Sequence, residues 1–338
     1  MKRTQKPVIA ITSGDPNGIG PEVALKCALD PRVIRICSPV LVGPVEVFEF
    51  YSKRLHLPAQ FPIVADPNVH VRRNTIPVYS TGSDTRCHVR PGTLSTSAGR
   101  HAANALRLAS GLAIRKEVDA VVTGPVNKKA LHRAGLPFDG QTEFLQHLTH
   151  SRHVAMMLIS NTMRVGLATI HVPINQVALR LTRQRLQTIV NVVNTSLKLD
   201  WKIRNPRLAV LGLNPHAGEQ GDIGLEERTI ISPAIQALKR RRLLVEGPFP
   251  ADSFFGKYRK GRFDAVIAMY HDQGLIPLKM SSFGGAVNMS AGLPIVRTSP
   301  DHGTAFDIAG KGIANPESMI AAIKMAVMIA NNRKNSRG

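Results

Sequence analysis

The chain has few cysteines and none in a paired motif. Cys27, Cys37 and Cys87 are its three cysteines among 338 residues, and no CxxC occurs. An odd, sparse set of thiols argues against a disulfide framework and fits a reducing compartment. We therefore expect a cytoplasmic protein.

Long apolar runs are also missing. The N-terminal run "VIAI" at 8–11 is interrupted by Ser, Gly, Asp and Pro, and is too short for the core of a signal peptide. The later run "MIAAIKMAVMIA" is split by Lys324. No apolar stretch reaches the roughly 18 residues of a membrane span, so no membrane partner is expected.

Acidic residues are scarce. The chain has 23 Asp and Glu residues and 44 Lys and Arg residues, which gives a formal net charge of +21. Such a charge attracts polyanions and small anionic substrates alike. The densest basic runs lie at 239–242 and 331–338, but zinc-finger spacing, an RRM signature and interleaved aromatics are all absent. Nucleic acid is therefore not the expected partner.

The chain lacks both standard nucleotide-binding fingerprints. "GDPNGIGPE" at 14–22 does not have GxGxxG spacing, and Pro21 and Glu22 stand where a Walker A loop has Lys followed by Ser or Thr. The segment connects a strand pattern to a helix pattern. A structural turn and a backbone site for a cofactor or substrate both remain open.

Strand patterns alternate with helix patterns along the chain. Strands that run into Gly- or Pro-containing loops are predicted in five segments: 8–11, 38–44, 119–131, 207–218 and 264–274. Helices are predicted at 22–29, 97–117, 183–199, 227–242 and 315–331. This alternation predicts α/β architecture with a largely parallel sheet, in two lobes or one large domain.

Polar residues recur where predicted strands end. The loops are "SGDPNGIG", "TGPVNKK", "LNPHAGE" and "YHDQG". In open α/β sheets, ligands bind beyond the carboxyl ends of strands. The four loops therefore predict one convergent site.

Three histidines, His171, His216 and His271, stand at or just past predicted strand ends. A lone histidine is more often structural, whereas three at equivalent loop positions also suit a catalytic metal with an open coordination position. Both interpretations remain open from the residues alone. Another cluster, His147, His150 and His153, has i, i+3, i+6 spacing that drifts around a helix, which indicates ordinary surface.

The segment 271–305 is dense in functional residue types. Lys279 and Arg297, with the amide of Asn288, could together bind a phosphate or carboxylate. The alternative is a run of solvated loop residues.

These segments together resemble the 4-phosphohydroxythreonine dehydrogenase (PdxA-like) family, the NAD-dependent enzymes of pyridoxal phosphate synthesis. The resemblance covers about 8–331, and "NPHAGE" and "YHDQG" are its most specific segments. It implies a fold like that of isocitrate and isopropylmalate dehydrogenases: two interleaved α/β lobes spanning 1–338 as a single unit, with a cleft between the lobes. It also implies a homodimer.

The resemblance assigns roles to individual residues. It makes His171, His216 and His271 the ligands of one divalent metal (Zn, Mg or Co), with one histidine supplied by the partner chain. It makes five residues substrate contacts: Gln141, Thr142, Lys279, Asn288 and Arg297. It implies NAD or NADP as cofactor, a small anionic substrate, and oxidation of a secondary alcohol followed by loss of CO2. Lys279 and Asp252 are catalytic candidates, and no general base is assigned.

Gln141 departs from the family pattern, which has "GHTE" where this chain has "GQTE". Glutamine can donate and accept hydrogen bonds but cannot carry a proton near neutral pH. The departure leaves open 4-phosphothreonate, 4-phosphoerythronate or a terephthalate cis-dihydrodiol as substrate. A non-catalytic polyanion-binding protein is the alternative of another class.

Overall fold

A computed structural model describes residues 6–65, 74–82, 86–138, 140–282 and 285–335. The end of the basic tail, at 336–338, and residues 283–284 of the segment 271–305 lie outside the described residues.

Strands in the described residues are short and mostly buried. In chain order they are β1 (Val8–Thr12), β2 (Ser38–Val42), β3 (Val78–Tyr79), β4 (Ala120–Val122), β5 (Ala155–Ile159), β6 (Arg164–Leu167), β7 (Arg207–Leu211), β8 (Leu244–Phe249), β9 (Ala265–Ala268), β10 (Val287–Ala291) and β11 (Arg297–Pro300).

The helices follow the strands in alternation. The α-helices are α1 (Gly20–Ala28), α2 (Pro31–Ile36), α3 (Val45–Arg54), α4 (Thr96–Ile114), α5 (Lys128–Arg133), α6 (Gln141–Leu148), α7 (Val177–Arg180), α8 (Arg183–Asp200), α9 (Ser232–Arg240), α10 (Ala251–Gly256), α11 (His271–Ser282) and α12 (Glu317–Lys334). A short 3-10 segment lies at Ile174–Gln176, a left-handed turn lies within Pro215–Gly221, and a π-helical turn at Glu227–Ile231 precedes α9.

The chain forms two compact units. Of the described residues, unit 1 comprises those from Lys6 to Ser151 and from Leu293 to Asn335, and unit 2 comprises those from Arg152 to Gly292. The chain therefore enters unit 2 once and returns to unit 1 for β11 and α12.

Unit 1 holds a parallel sheet in the order β3-β2-β1-β4-β11. β1 is buried along its whole length, which explains why its sequence is continuously apolar rather than alternating. Polar caps start the flanking helices: the Ser95 side chain accepts from Ala98 N–H, and that of Asn127 accepts from Ala130 N–H.

Unit 2 holds a mixed sheet in the order β10-β5-β6-β9-β7-β8. β5 pairs antiparallel with both β10 and β6, whereas β6, β9, β7 and β8 pair in parallel. The prediction of a largely parallel sheet thus holds for unit 1 and for this part of unit 2. β5 and β6 are joined by a short connection, which permits only antiparallel pairing.

Predicted helices agree closely with the observed α1, α4, α8 and α12. The prediction at 227–242 is corrected at its start, where a π-helical turn replaces the first α-helical turn. The predicted loop "YHDQG" is wrong, because α11 begins at His271 and runs through Gly274 and Pro277. A Cβ on Gly274 would lie 2.6 Å from Val165 Cγ1, so this glycine serves close packing of α11 on β6 rather than a turn.

No helix in the described part of the chain is long and apolar enough to cross a membrane.

Candidate functional site

In unit 1 the loops that follow β1 and β4 lie against each other. Asp15 N–H donates to Pro125 O at 2.9 Å, and Gly124 N–H donates to Thr12 Oγ1 at 3.0 Å. Since β1 and β4 are parallel neighbours, their carboxyl ends meet at one edge of the sheet. The glycine-rich segment and the "TGP" segment therefore form one structure.

Asp15 is fully buried within this structure. Its Oδ1 accepts the Asn17 N–H at 2.9 Å, and its Oδ2 has no hydrogen-bond partner among the described residues. Burial raises the pKa of Asp15 to about 6, and the bond from Asn17 only partly opposes that rise. The chain thus keeps a carboxyl group in a place where its charged form is disfavoured.

Arg297, the first residue of β11, is 2% exposed. Its Nε and Nη2 donate to Thr123 Oγ1 at 3.1 and 2.8 Å, and Nη2 also donates to Gln141 Oε1 at 3.1 Å. Burial lowers the pKa of Arg297 to about 10, while the charge of Glu143 acts in the opposite direction. The guanidinium is therefore still a cation at neutral pH.

Gln141 begins α6 and uses both ends of its amide. Its oxygen accepts from Arg297, and its Nε2 donates to Gly124 O at 3.0 Å. The residue that departs from the family pattern thus ties Arg297 to the loop after β4. Of the predicted substrate contacts, Gln141 and Arg297 touch, and Thr142 is the buried residue that follows in α6.

In unit 2, two of the predicted metal ligands lie side by side. The ring centroids of His171 and His271 are 5.7 Å apart. His271 Nδ1 is 2.6 Å from Asp272 Oδ1. A carboxylate at one ring nitrogen fixes the orientation of the imidazole and leaves Nε2 for a metal, as in many metal sites.

His216 lies in the left-handed turn after β7, where it is exposed. Within the described residues, no group of three or more His, Cys, Asp and Glu side chains could hold a metal ion. His171 and His271 thus form a pair, and a third ligand from a partner chain stays a prediction. The donor set of two imidazoles with a neighbouring carboxylate fits a divalent metal of the zinc type.

Gln273 connects the segments that carry His216 and His271. Its Oε1 accepts Met269 N–H at 2.7 Å, and its Nε2 donates to Gly212 O at 2.7 Å. Met269 follows β9 and Gly212 follows β7, so this single side chain joins two neighbouring strand ends.

The remaining predicted residues of unit 2 occupy separate elements. Lys279 is an exposed residue of α11, Asn288 lies half-buried in β10, and Asp252 is exposed in the first turn of α10. Their roles as substrate contacts or catalytic groups stay predictions.

Sequence reasoning missed Thr123, Gln273 and Glu227 as supporting residues. Thr123 and Gln273 lie inside motifs that the sequence did single out, "TGPVNKK" and "YHDQG". Glu227 had no local signal, because it belongs to a helix that begins after the "NPHAGE" segment.

The three histidines that the sequence assigned to ordinary surface are His147 and His150 of unit 1 and His153, near the start of unit 2. His147 and His150 are exposed, with ring centroids 6.5 Å apart, and His147 packs 5.3 Å from the ring of Phe138.

Comparison with solved structures first identifies the class of fold. The fold is that of the isocitrate dehydrogenase type: the enzyme from Methylococcus capsulatus superposes with a TM-score of 0.51 at 16% identity, covering 98% of this chain and 88% of that one. This likeness concerns the fold alone, and it confirms the predicted fold class.

The family follows from closer matches. Residues 35–326 match the family model "Pyridoxal phosphate biosynthetic protein PdxA". A 4-hydroxythreonine-4-phosphate dehydrogenase of Desulforapulum autotrophicum is 40% identical, covering 96% of each chain. The D-threonate 4-phosphate dehydrogenase of Pectobacterium atrosepticum is also 40% identical, covering 96% of this chain and 99% of its own. The crystal structure of 4-hydroxythreonine-4-phosphate dehydrogenase from Klebsiella pneumoniae has a TM-score of 0.87 at 39% identity, covering 96% and 100%.

The chain therefore belongs to the PdxA family, and its relatives make it an oxidoreductase of the dehydrogenase type.

Proposed function

We propose that the chain is an NAD-dependent, metal-assisted dehydrogenase that oxidises a secondary alcohol of a phosphorylated hydroxy acid and releases CO2. The first candidate substrate is 4-phosphohydroxythreonine, which places the enzyme in pyridoxal phosphate synthesis. The observation that carries the proposal is the pair of neighbouring imidazoles of His171 and His271. The Asp272 carboxylate lies 2.6 Å from Nδ1 of the His271 ring.

His171, His216 and His271 would hold the metal, with one of them supplied by a second copy in a homodimer. A divalent metal bound there would polarise the substrate hydroxyl and stabilise charge that develops as CO2 leaves, and NAD or NADP would accept the hydride. Asp272 orients the His271 ring so that Nε2 faces outward from the carboxylate.

Arg297 is the proposed contact for the anionic group of the substrate. Thr123 and Gln141 fix its guanidinium before any ligand arrives, which reduces the entropy lost on binding. Thr142, Lys279 and Asn288 are proposed further contacts, and Lys279 and Asp252 remain candidates for proton transfer. Gln141 cannot transfer a proton, since its amide does not titrate.

The substrate itself needs a direct test, because relatives at the same 40% identity are named for two different substrates. Purified protein with NAD and zinc, magnesium or cobalt should be offered 4-phosphohydroxythreonine, 4-phosphothreonate, 4-phosphoerythronate and the dihydrodiol, with NADH absorbance as the readout. We expect NADH with 4-phosphohydroxythreonine and none after chelation.

Each other outcome has a defined meaning. NADH only with another member of the panel would replace the substrate and keep the chemistry. No NADH with any member, together with salt-sensitive binding of RNA or DNA, would favour the polyanion-binding alternative that the +21 charge suggests. A Gln141→His variant belongs in the same panel, since a switch of preferred substrate would identify position 141 as the selector.

The proposal also places the protein in the cytoplasm. Cys27, Cys37 and Cys87 are all free and buried, which suits the reducing cytoplasm.

A further inference from the structure

The segment that carries His216 has an unusual backbone. Five successive residues have positive φ: His216 (52°), Ala217 (54°), Gly218 (81°), Glu219 (41°) and Gln220 (59°). Residues other than glycine lose roughly 1–2 kcal/mol each in this left-handed conformation. A left-handed turn with four such residues persists only where its surroundings hold it.

One buried carboxylate lies at the base of the turn. Glu227 is 5% exposed. Its Oε1 accepts the backbone N–H groups of Leu213 at 2.6 Å and Asn214 at 2.7 Å, and its Oε2 accepts Asn214 Nδ2 at 2.9 Å. These three bonds fix the two residues that lead directly into Pro215 and His216, and bonds to a carboxylate are stronger than those between neutral groups.

The same carboxylate packs against the turn itself. A Cβ on Gly218 would lie 2.6 Å from Glu227 Oε2, so only glycine fits at this point of the turn. Glu227 is also the first residue of the π-helical turn before α9, and π-helical turns are frequent at functional sites. The Glu227 carboxylate therefore packs closely against the backbone of the turn at Gly218.

We propose that Glu227 is a positioning residue that pre-forms the left-handed turn and so holds His216 ready to bind the metal. This inference rests on the proposed function, in which His216 is a metal ligand. Without the carboxylate, Leu213 and Asn214 lose their acceptor, and the turn can relax to the right-handed conformations that its residues prefer. His216 would then have to be ordered at the moment of metal binding.

The test is the zinc affinity of Glu227→Gln in the full-length protein, measured by calorimetry. Glutamine keeps the size of the side chain and one acceptor oxygen, but places an NH2 group opposite the NH2 group of Asn214. We expect the zinc Kd to rise about 10-fold, at the lower end of the roughly 10–100-fold effects of residues that support metal ligands. The retained amide oxygen is a weaker acceptor than a carboxylate oxygen, so hydrogen exchange at the Leu213 and Asn214 amides should become faster.

Glu22→Gln is the matched control. Glu22 is likewise a buried carboxylate that accepts two backbone N–H groups, those of Gly312 and Ala314, but it lies in unit 1, where it also pairs with Lys26. Its substitution should leave the zinc Kd unchanged, which separates a local effect on His216 from a general loss of stability.

An unchanged zinc Kd in folded Glu227→Gln would overturn this inference and leave the proposed function standing. Failure of the wild-type protein to bind any of zinc, magnesium and cobalt would overturn both. Should Glu227→Gln not fold, Asn214→Ala decides instead. It leaves the Glu227 carboxylate in place and removes two bonds of Asn214 Nδ2, one to Glu227 Oε2 and one to Glu226 Oε2 at 2.7 Å. The expected rise in Kd is then about 3-fold, because less of the support for His216 is lost, and no rise would overturn the inference.

Discussion

The two units present their polar groups in opposite ways. In unit 1, Arg297 is 2% exposed and already bonded to Thr123 and Gln141. In unit 2, His171 is exposed and His271 half-buried, with their rings 5.7 Å apart. A buried cation needs its hydrogen-bond partners when the chain folds, whereas imidazoles that reach the surface can be hydrated until a metal binds. The contacts of Arg297 in unit 1 are therefore preformed, whereas in the proposed function the histidines of unit 2 need an added metal ion.

The largest expected effect is on metal binding in unit 2. His271→Ala should lose zinc binding, with the Kd rising at least about 100-fold, because a coordinating nitrogen and its link to Asp272 both disappear. Metal content measured by mass spectrometry after dialysis is the readout. His147→Ala is the control, as His147 is an exposed histidine of α6. Stoichiometric zinc in His271→Ala would contradict the ligand assignment.

The next effect concerns the buried carboxyl of unit 1. The pKa of Asp15 is raised from 3.8 to about 6 in the folded protein, so folding favours its protonated form. Its stabilising contribution is complete below about pH 4 and is lost as the pH rises through about 6, a change of roughly 3 kcal/mol. Asp15→Asn cannot lose a proton and should not show this loss.

Urea unfolding of both proteins at several pH values measures that difference. The free energy of unfolding of Asp15→Asn, relative to wild type, should increase by about 2 kcal/mol between about pH 4 and pH 7, which is most of the full change. If the free energy of unfolding had the same pH dependence in the two proteins, burial would not raise the pKa of Asp15, and the prediction would be wrong.

A smaller effect tests the preformed state of Arg297. Thr123→Val removes the oxygen that accepts two of its N–H groups, and should lower the free energy of unfolding by about 2 kcal/mol, as expected for a bond to a buried charged group. Thr123→Ser keeps the hydroxyl and should change stability by less than about 1 kcal/mol. Equal effects of Val and Ser would mean that the hydroxyl does not hold Arg297.

The smallest effect is expected at Gln141. A neutral imidazole in Gln141→His can still contact Arg297, but a protonated one would lie beside a buried cation, which lowers its pKa. Its stability should therefore match wild type near pH 8 and fall about 1 kcal/mol further than wild type near pH 5. Thermal unfolding at the two pH values provides the measurement, and a variant with no extra loss at acid pH would place residue 141 away from Arg297.

The sequence alone predicted those elements of the fold in which a single hydrophobic pattern runs through the whole segment. The apolar runs of β1, β4, β7 and β9 predicted buried parallel strands, and the family segments placed the histidines beyond them. The start of α11 was hidden, because Gly274 and Pro277 resemble loop residues although Gly274 serves packing on β6. The antiparallel β5 was not predicted either, since strand direction depends on its pairing with β6 and β10.

The supporting contacts of the site were beyond a sequence-based prediction for a different reason. Nothing in the types of His216, Ala217, Glu219 and Gln220 indicates positive φ, because these residues disfavour it. The partners of Gln141 likewise depend on Arg297, which is 156 positions away in sequence. The departure at 141 was visible, but its contact with Arg297 required the fold.

The most direct test of the account is a crystal of the full-length protein grown with zinc and measured at the zinc absorption edge. The account predicts an anomalous peak within coordination distance of His271 Nε2 and His171, about 2.0–2.1 Å from each ring nitrogen that binds it. No peak at this pair, or a peak only at the surface histidines His147 and His150, would contradict it.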